Sequence, residues 1–321
     1  MKALVTGAGG FVGQWLCRAL LRDGWEVAGS TLGVLPAPGV MTEAEISSVF
    51  WRGIDLRTGA DERRSIRAMF ERHRPDAIFH LAGVAYLPAA GQDRDFALGV
   101  NVGALVKVLD GLRPLREAGT IDPIVLVVGS GEQYGRHAEN AQPLREATAR
   151  LPLNFYAATK VAQEEVALAT HRAEGIKVIA TRSFNHSGRG QAPSFLLPAL
   201  VARAVAAREN GTDVTIGNTE VIRDFLHVED VVTAYISLVA RGVPGEVYNV
   251  CSGEGIRVGD LAKEVLAQAG VQAPLRVDPA LQRAVDVPVL VGDSAKLKAA
   301  TGWQPVRSRS DIIAELLDAA S

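Results

Sequence analysis

Tyr156 and Lys160, four residues apart, are the pair in this chain best suited to proton chemistry. On a helix, positions four apart share a face, so an ammonium sits beside a phenol. A phenol with a pKa near 10 exchanges protons poorly at neutral pH, and bringing it to about 7 takes roughly 4 kcal/mol of preference for the phenolate. One ammonium about 4 Å away, at an effective dielectric near 20, supplies roughly that. Upstream, the strand-like run Ile124 to Val128 leads into Ser130 and Glu132. A hydroxyl there can fix a carbonyl oxygen, the phenol can protonate it, and a carboxylate can remove a proton from carbon.

A second set of residues has the spacing of a phosphate cradle. The short apolar strand Lys2 to Thr6 breaks into Gly7, Gly10 and Gly13, with Phe11 and Val12 between them, and a helical stretch from Gln14 to Leu21 follows. Glycines keep such a turn tight and let backbone N–H groups approach a pyrophosphate at the positive end of the helix, as at the start of a dinucleotide-binding βαβ unit. After the next strand, Val27 to Leu32 has neither the acid that binds a ribose 2′-hydroxyl nor an arginine for a 2′-phosphate. The cofactor implied is therefore NADP or NAD. Ser30 and Thr31 can each donate to a phosphate, which tilts the choice toward NADP.

Elements that would position these groups are legible as alternating runs. Strand-like segments at Ala3 to Thr6, Trp25 to Ser30, Ser48 to Gly53, Ala77 to Leu81, Ile124 to Val128 and Val178 to Thr181 alternate with helical patterns, among them Arg63 to Arg72, Val100 to Arg113 and Tyr156 to Arg172. That alternation predicts an α/β fold: a Rossmann-type, doubly wound parallel sheet with helices on both faces. Its ligands bind beyond the carboxyl ends of the strands, where Gly7, Leu81 and Ser130 fall. Past Thr181 the pattern is less regular: Phe195 to Ala207, Gly259 to Ala267 and Asp311 to Ala319 read as helices and Asp213 to Gly217 as a short strand.

With 321 residues, 48% of them hydrophobic, the chain can bury a large core, and a net charge of −2 argues against a polyanionic partner such as nucleic acid. No uninterrupted apolar run reaches membrane-spanning length, and the reading is a cytoplasmic protein. Cys17 and Cys251 are the two cysteines, which excludes a disulfide framework and a cysteine-based zinc site; both are expected to be buried thiols. The six histidines show no metal-ligand spacing, and no metal is expected.

Taken together, Thr6 to Gly13, Asp55-Leu56, His80 to Gly83, Asn101 to Gly103, Ser130 to Gly135, Tyr156 to Lys160, Arg182 to Gly188, Arg223 to Asp230, Val247 to Gly253 and Thr301 to Pro305 resemble the extended short-chain dehydrogenase/reductases that modify nucleotide sugars. Phe184 to Gln191, Arg223-Asp224-Phe225 and Tyr248 to Gly253 look most like the GDP-6-deoxy-4-keto-mannose reductases, with GDP-mannose 4,6-dehydratases the nearest rivals.

The resemblance implies roles residue by residue. Tyr156 would be the general acid for a sugar C4 carbonyl as hydride arrives from NAD(P)H, Ser130 its positioning hydroxyl, and Lys160 the group that holds the nicotinamide ribose. Gly7, Gly10, Phe11, Val12, Gly13, Ser30, Thr31, Asp55, Leu56, Leu81, Ala82, Gly83, Tyr156, Lys160 and Ser183 would surround the cofactor. Asn185, Arg223 and Arg283 would bind the nucleotide-diphosphate sugar. Glu132 stands where a 4,6-dehydratase keeps its C5 base. Against that reading are Ser130-Gly131 in place of a Thr-Ser pair, the missing basic pair after the second strand, and the shorter chain. A reductase is preferred, with a dehydratase or another nucleotide-sugar epimerase as the alternative; retention of Ser130, Tyr156 and Lys160 together argues against a non-catalytic sensor. Residues 1–181 and 221–250 would form the dinucleotide-binding domain, and 182–220 with 251–321 the substrate lobe. Partly apolar faces on Val100 to Arg113 and Tyr156 to Arg172 imply a homodimer, as is common in such enzymes.

Overall fold

The computed structural model describes residues 1–56, 60–84, 91, 93–282 and 286–320. The six strand-like runs form one parallel sheet: β1 (Lys2–Thr6), β2 (Glu26–Thr31), β3 (Phe50–Gly53), β4 (Ala77–His80), β5 (Ile124–Ser130) and β6 (Val178–Ser183). The tenth strand of the chain, β10 (Val247–Val250), joins beside β6, giving the order β10-β6-β5-β4-β1-β2-β3. Strands covered on both faces read as continuous apolar runs, and Ala3, Leu4, Val5, Ile78, Phe79, Val125, Leu126 and Ile179 are all buried. Strand order reverses between β1 and β4, the switch point where open parallel sheets bind ligands.

In chain order the helices are α1 (Phe11–Arg22), α2 (Glu43–Ser47), α3 (Ala60–His73), α4 (Arg94–Leu98), α5 (Ala104–Glu117), α6 (Phe155–Glu174), α7 (Leu196–Asn210), α8 (Val228–Arg241), α9 (Val258–Gln268), α10 (Ala295–Thr301) and α11 (Arg309–Ala320). Helices α1 and α8 bury Leu16, Leu20, Val231, Tyr235 and Leu238 on one side of the large sheet. On the other side α3, α5 and α6 contribute Ile66, Phe70, Leu105, Leu109 and Ala167. The α6 helix, which carries Tyr156 and Lys160, has both ends defined by local sequence. Asn154 caps its start by accepting from the Ala157 amide at 2.8 Å, and Gly175 ends it in the left-handed region at φ 68°.

A second region is built from small sheets. β7 (Asn185–Ser187), β9 (Ile222–His227), β11 (Gly255–Arg257) and β13 (Val289–Leu290) form one, while β8 (Val214–Ile216) pairs with β12 (Leu275–Val277). Helices α7, α9 and α11 enclose their own core of Leu200, Ala204, Ile216, Leu261, Val265 and Ile312.

The structure redraws the expected division at two places. Within segment 221–250, α8 packs on the large sheet and β10 joins it as expected, but β9 does not: it pairs with β7, β11 and β13. The reason lies in the charges of β9: buried Arg223 and Asp224 find their partners on the loops of the small region, at Asp286 and at the amides of Ser252, Gly253 and Gly292. In the opposite sense, Leu297 and Trp303 pack into the core under α1 and α8, with the Trp303 indole donating to the Asp230 carbonyl at 3.1 Å. Among the described residues, no helix is long and apolar enough to cross a membrane.

Candidate active site

The turn after β1 is shaped by two close approaches. Gly7 has φ +70°, and a Cβ there would lie 2.9 Å from the Ala82 amide nitrogen, so only glycine makes this turn. Inside α1, a Cβ on Gly13 would sit 2.3 Å from the Gly7 carbonyl oxygen. The helix therefore starts hard against the strand. Its N-cap, Gly10, has no side chain to satisfy the first-turn amides, the kind of helix end that favours an anion such as pyrophosphate. The observed cradle thus fits a dinucleotide.

Around it the residues expected to meet a cofactor gather along the carboxyl ends of β1 to β6. Ser30 and Thr31 are buried at the end of β2; the Ser30 carbonyl accepts from the Ala8 amide at 3.0 Å, and the Thr31 hydroxyl accepts from the Gly33 amide at 3.1 Å. Asp55 and Leu56 follow β3, with the Leu56 side chain in the core and its carbonyl accepting from Lys107. Leu81, Ala82 and Gly83 follow β4, and the Ala82 amide donates to the Thr6 hydroxyl at 3.3 Å, joining the turns after β1 and β4. Phe11 stacks on the His186 ring with centroids 6.2 Å apart, and Val12 is half-buried. Ser183 is the register partner of Ser130 and shares a 2.7 Å hydrogen bond with the Tyr235 hydroxyl.

Ser130 ends β5 and caps a tight 3₁₀ turn, Gly131–Tyr134. Its Oγ accepts from the Glu132 amide at 3.2 Å, while its own amide donates to the Gln133 side-chain oxygen at 2.9 Å. Tyr156 lies in the first turn of α6, 8% exposed, with the Ser130 side chain acting on its phenol. Burial pushes its phenol up to about 12; the Ser130 side chain opposes this and the Glu132 carboxylate adds to it. The expected lowering toward 7 counts a nicotinamide charge beside Lys160; by themselves the chain's own groups leave the phenol raised. Desolvation of the phenolate dominates, and the Lys160 ammonium donates to the Val128 carbonyl at 2.9 Å and the Gln163 side-chain oxygen at 2.8 Å. Burial lowers Lys160 itself to about 8. A Cβ on Gly83 would lie 3.3 Å from Nζ, which places the ammonium between β5 and the turn after β4. At neutral pH the phenol is protonated, the state a general acid needs.

On the side facing β7, Asn185 has a buried side-chain NH₂ with no partner among the described residues. Arg223 is buried and donates to the Val287 carbonyl at 2.7 Å and to the Asp286 carboxylate, so it ties down the chain just past Arg283. Arg283 lies outside the described residues. Glu132 is half-buried, 3.4 Å from the Asn154 side-chain nitrogen. His80 is buried against the Thr6 hydroxyl at 2.9 Å, and His227 bonds Glu315 at 3.2 Å with its ring edge-on to Trp15. Cys17 and Cys251 are buried thiols, as expected.

A family model described as GDP-mannose 4,6-dehydratase matches residues 4–316. The chain belongs to that family. It is 37% identical over 234 residues to the GDP-6-deoxy-D-mannose reductase of Pseudomonas aeruginosa, covering 72% of this chain and 75% of the relative. It is 27% identical to the GDP-6-deoxy-D-talose 4-dehydrogenase of Aggregatibacter actinomycetemcomitans, covering 92% and 90% of the two chains. Among solved structures, RMD from Pseudomonas aeruginosa complexed with NADPH superposes with TM-score 0.83 at 30% identity, covering 99% of this chain and 98% of that one. The UDP-glucose 4-epimerase of Thermus thermophilus, solved with NAD, has TM-score 0.85 over 100% and 99% of the two chains at 24% identity and shares the fold.

In this member of the GDP-mannose 4,6-dehydratase family, several buried polar residues to which the sequence assigned no role support the Ser-Tyr-Lys set. Glu164 follows Lys160 by four as Lys160 follows Tyr156, and that spacing was a readable signal. It is clamped by Arg182 at 2.9 and 2.7 Å and also accepts from Arg150 at 2.9 Å and Gln133 at 2.8 Å. Arg182 lies 4.9 Å over the Tyr134 ring, whose hydroxyl donates to Asn249 at 2.7 Å. Asn101 sits in a π-helical turn, Gly99–Gly103, a form frequent at functional sites. Its NH₂ donates to the Thr159 hydroxyl at 2.8 Å and its oxygen accepts from the Val84 amide at 2.8 Å, linking α6 to the turn after β4. Nothing in the periodicity around Gln133 or Asn101 marks them as buried; only the fold brings their partners together.

Proposed function

We propose that the chain is an NADPH-using reductase of a GDP-linked 4-keto-6-deoxy-hexose. Family membership supports the broader statement, an NAD(P)-dependent enzyme acting on nucleotide sugars. The observation that carries the finer one is the Tyr156 phenol, buried and pushed up to about 12, on α6 with Ser130 at the carboxyl end of β5. The 37% identity to a GDP-6-deoxy-D-mannose reductase supports the substrate class.

Bound NADPH would supply the hydride to C4. Ser130, whose oxygen already accepts from the Glu132 amide, directs its hydroxyl proton to the keto oxygen and fixes it. Tyr156 gives its proton to that oxygen, so that the carbonyl becomes an alcohol with one hydride on carbon and one proton on oxygen. Lys160 stabilises the phenolate left behind and holds the cofactor ribose. The orphaned Asn185 NH₂ is the donor for the sugar or its phosphate. The small-sheet region around β7 and β9 serves as the substrate lobe, and the half-buried Val102, Val106, Val161 and Val166 on the α5 and α6 side pair two copies into a homodimer.

A second reading is favoured by Glu132, whose carboxylate acts electrostatically on Tyr156. As a base it would remove the C5 proton of an oxidised GDP-mannose, the step of a 4,6-dehydratase. The deciding experiment follows NADPH absorbance with GDP-4-keto-6-deoxy-mannose, then GDP-mannose with NADP⁺ and mass analysis. Stoichiometric NADPH consumption supports the reductase. No consumption, with loss of water from GDP-mannose and no net cofactor change, overturns it in favour of the dehydratase.

A further inference from the structure

Gln163 is fully buried on α6, three residues past Lys160, and its side-chain oxygen lies 2.8 Å from the Lys160 ammonium. An ammonium only donates, so the oxygen end of this amide must face it and the NH₂ end must face away. That NH₂ has no hydrogen-bond partner among the described residues. A buried donor without an acceptor costs stability, and each such exception in a fold calls for a reason. Gln133, equally buried, supplies the contrast: its oxygen accepts from the Ser130 amide and its nitrogen donates to Glu164. Gln163 forgoes the second bond and keeps the one to lysine. With Val128 taking another N–H, two of the three lysine donors are fixed inside the protein and one is left for a ligand.

We propose that Gln163 is a positioning residue for Lys160, fixing the ammonium between Val128 and the turn at Gly83 and favouring its charged form for contact with the cofactor. The proposal rests on the reading that Lys160 holds the cofactor. The charged groups facing Lys160 leave its titration distinct. Tyr156, on the same helix, is pushed up to about 12, and His80, on β4, is held down to about 3 by burial and by Lys160 itself. Arg182 is raised and clamps Glu164 across the Gln133 side, and Glu132 faces Tyr156 from the turn after β5. Lys160, at about 8, is the group that loses its charge as pH rises through that value.

Fluorescence titration of the full chain with NADPH, from about pH 6 to about pH 10, reads this without any sugar. Wild-type affinity is expected to fall as Lys160 loses its proton. Gln163→Leu removes both the acceptor and the orphaned NH₂; binding at pH 8 should weaken about tenfold, and the onset of loss should move about one unit lower. Its melting temperature should fall modestly, because the buried Lys160 ammonium loses an acceptor while the orphaned NH₂ is removed. Gln163→Glu sets a carboxylate against the ammonium and should move the onset about one unit higher. Opposite shifts from two side chains of similar size are not what general loosening produces. If Gln163→Leu does not fold, the Gln163→Glu shift decides alone. Lys160→Met separates the two levels: wild-type NADPH affinity in that variant overturns both the reading and the proposal. Weakened binding there, with wild-type affinity and onset in the Gln163 variants, overturns the proposal alone.

Discussion

The large sheet and the small-sheet region bury charge in different ways. Under the large sheet, the charged groups around the site come from one helix and its flanking strands: Lys160 and Glu164 on α6, Arg182 on β6, with Gln133 between them. In the small region, Arg223 and Asp224 are adjacent on a six-residue strand and are satisfied by segments about 30 to 70 residues away in sequence. Asp224 accepts from the amides of Ser252, Gly253 and Gly292, and burial still raises its carboxyl above the ordinary range. The first region uses buried charge to place reactive groups; the second uses it to tie loops together.

The largest expected effect tests the first half of that contrast. Tyr156→Phe should lower kcat by about 10²- to 10⁴-fold in the NADPH absorbance assay, with a melting temperature near wild type, because the ring keeps its packing. A loss of stability instead would make the phenol structural. Glu164→Ala leaves Arg182 buried without its carboxylate and should cost about 3–5 kcal/mol in denaturant unfolding.

In the second region, Asp224→Ala strands three backbone donors and should cost about 2–3 kcal/mol. The sugar KM should rise while NADPH affinity stays within about twofold, because the amides that Asp224 holds, at Ser252, Gly253 and Gly292, are not those of the Gly7 turn. Parallel loss of NADPH binding would show that the two regions act as one unit.

A further test of the large-sheet region concerns pH. His80 is held at about 3, below its ordinary 6.5, because burial disfavours the charged ring. The unfolded chain then binds the proton more readily, so this residue contributes stability that is present above 6.5 and lost as pH falls from 6.5 toward 3. The slope is at most about 1.4 kcal/mol per pH unit. His80→Leu should flatten the acid limb of the curve of melting temperature against pH; an unchanged limb would assign acid sensitivity elsewhere.

Sequence alone determined the six strands from β1 to β6, the glycine turn, and the Tyr156-Lys160 face. Each of these is set by local spacing: apolar runs buried on both sides, glycines forced by close approach at Gly7 and Gly13, and a four-residue helical repeat. Tertiary structure decided that β9 leaves the large sheet, since burying Arg223 and Asp224 depends on partners brought from distant loops. It also decided the protonation of the site. The spacing of Tyr156 and Lys160 sets an ammonium one turn from the phenol, but the depth at which the fold holds Tyr156 raises the phenol in the chain by itself, while Lys160 is drawn to Val128 and Gln163. Desolvation depends on everything packed around a group, which no spacing along the chain records.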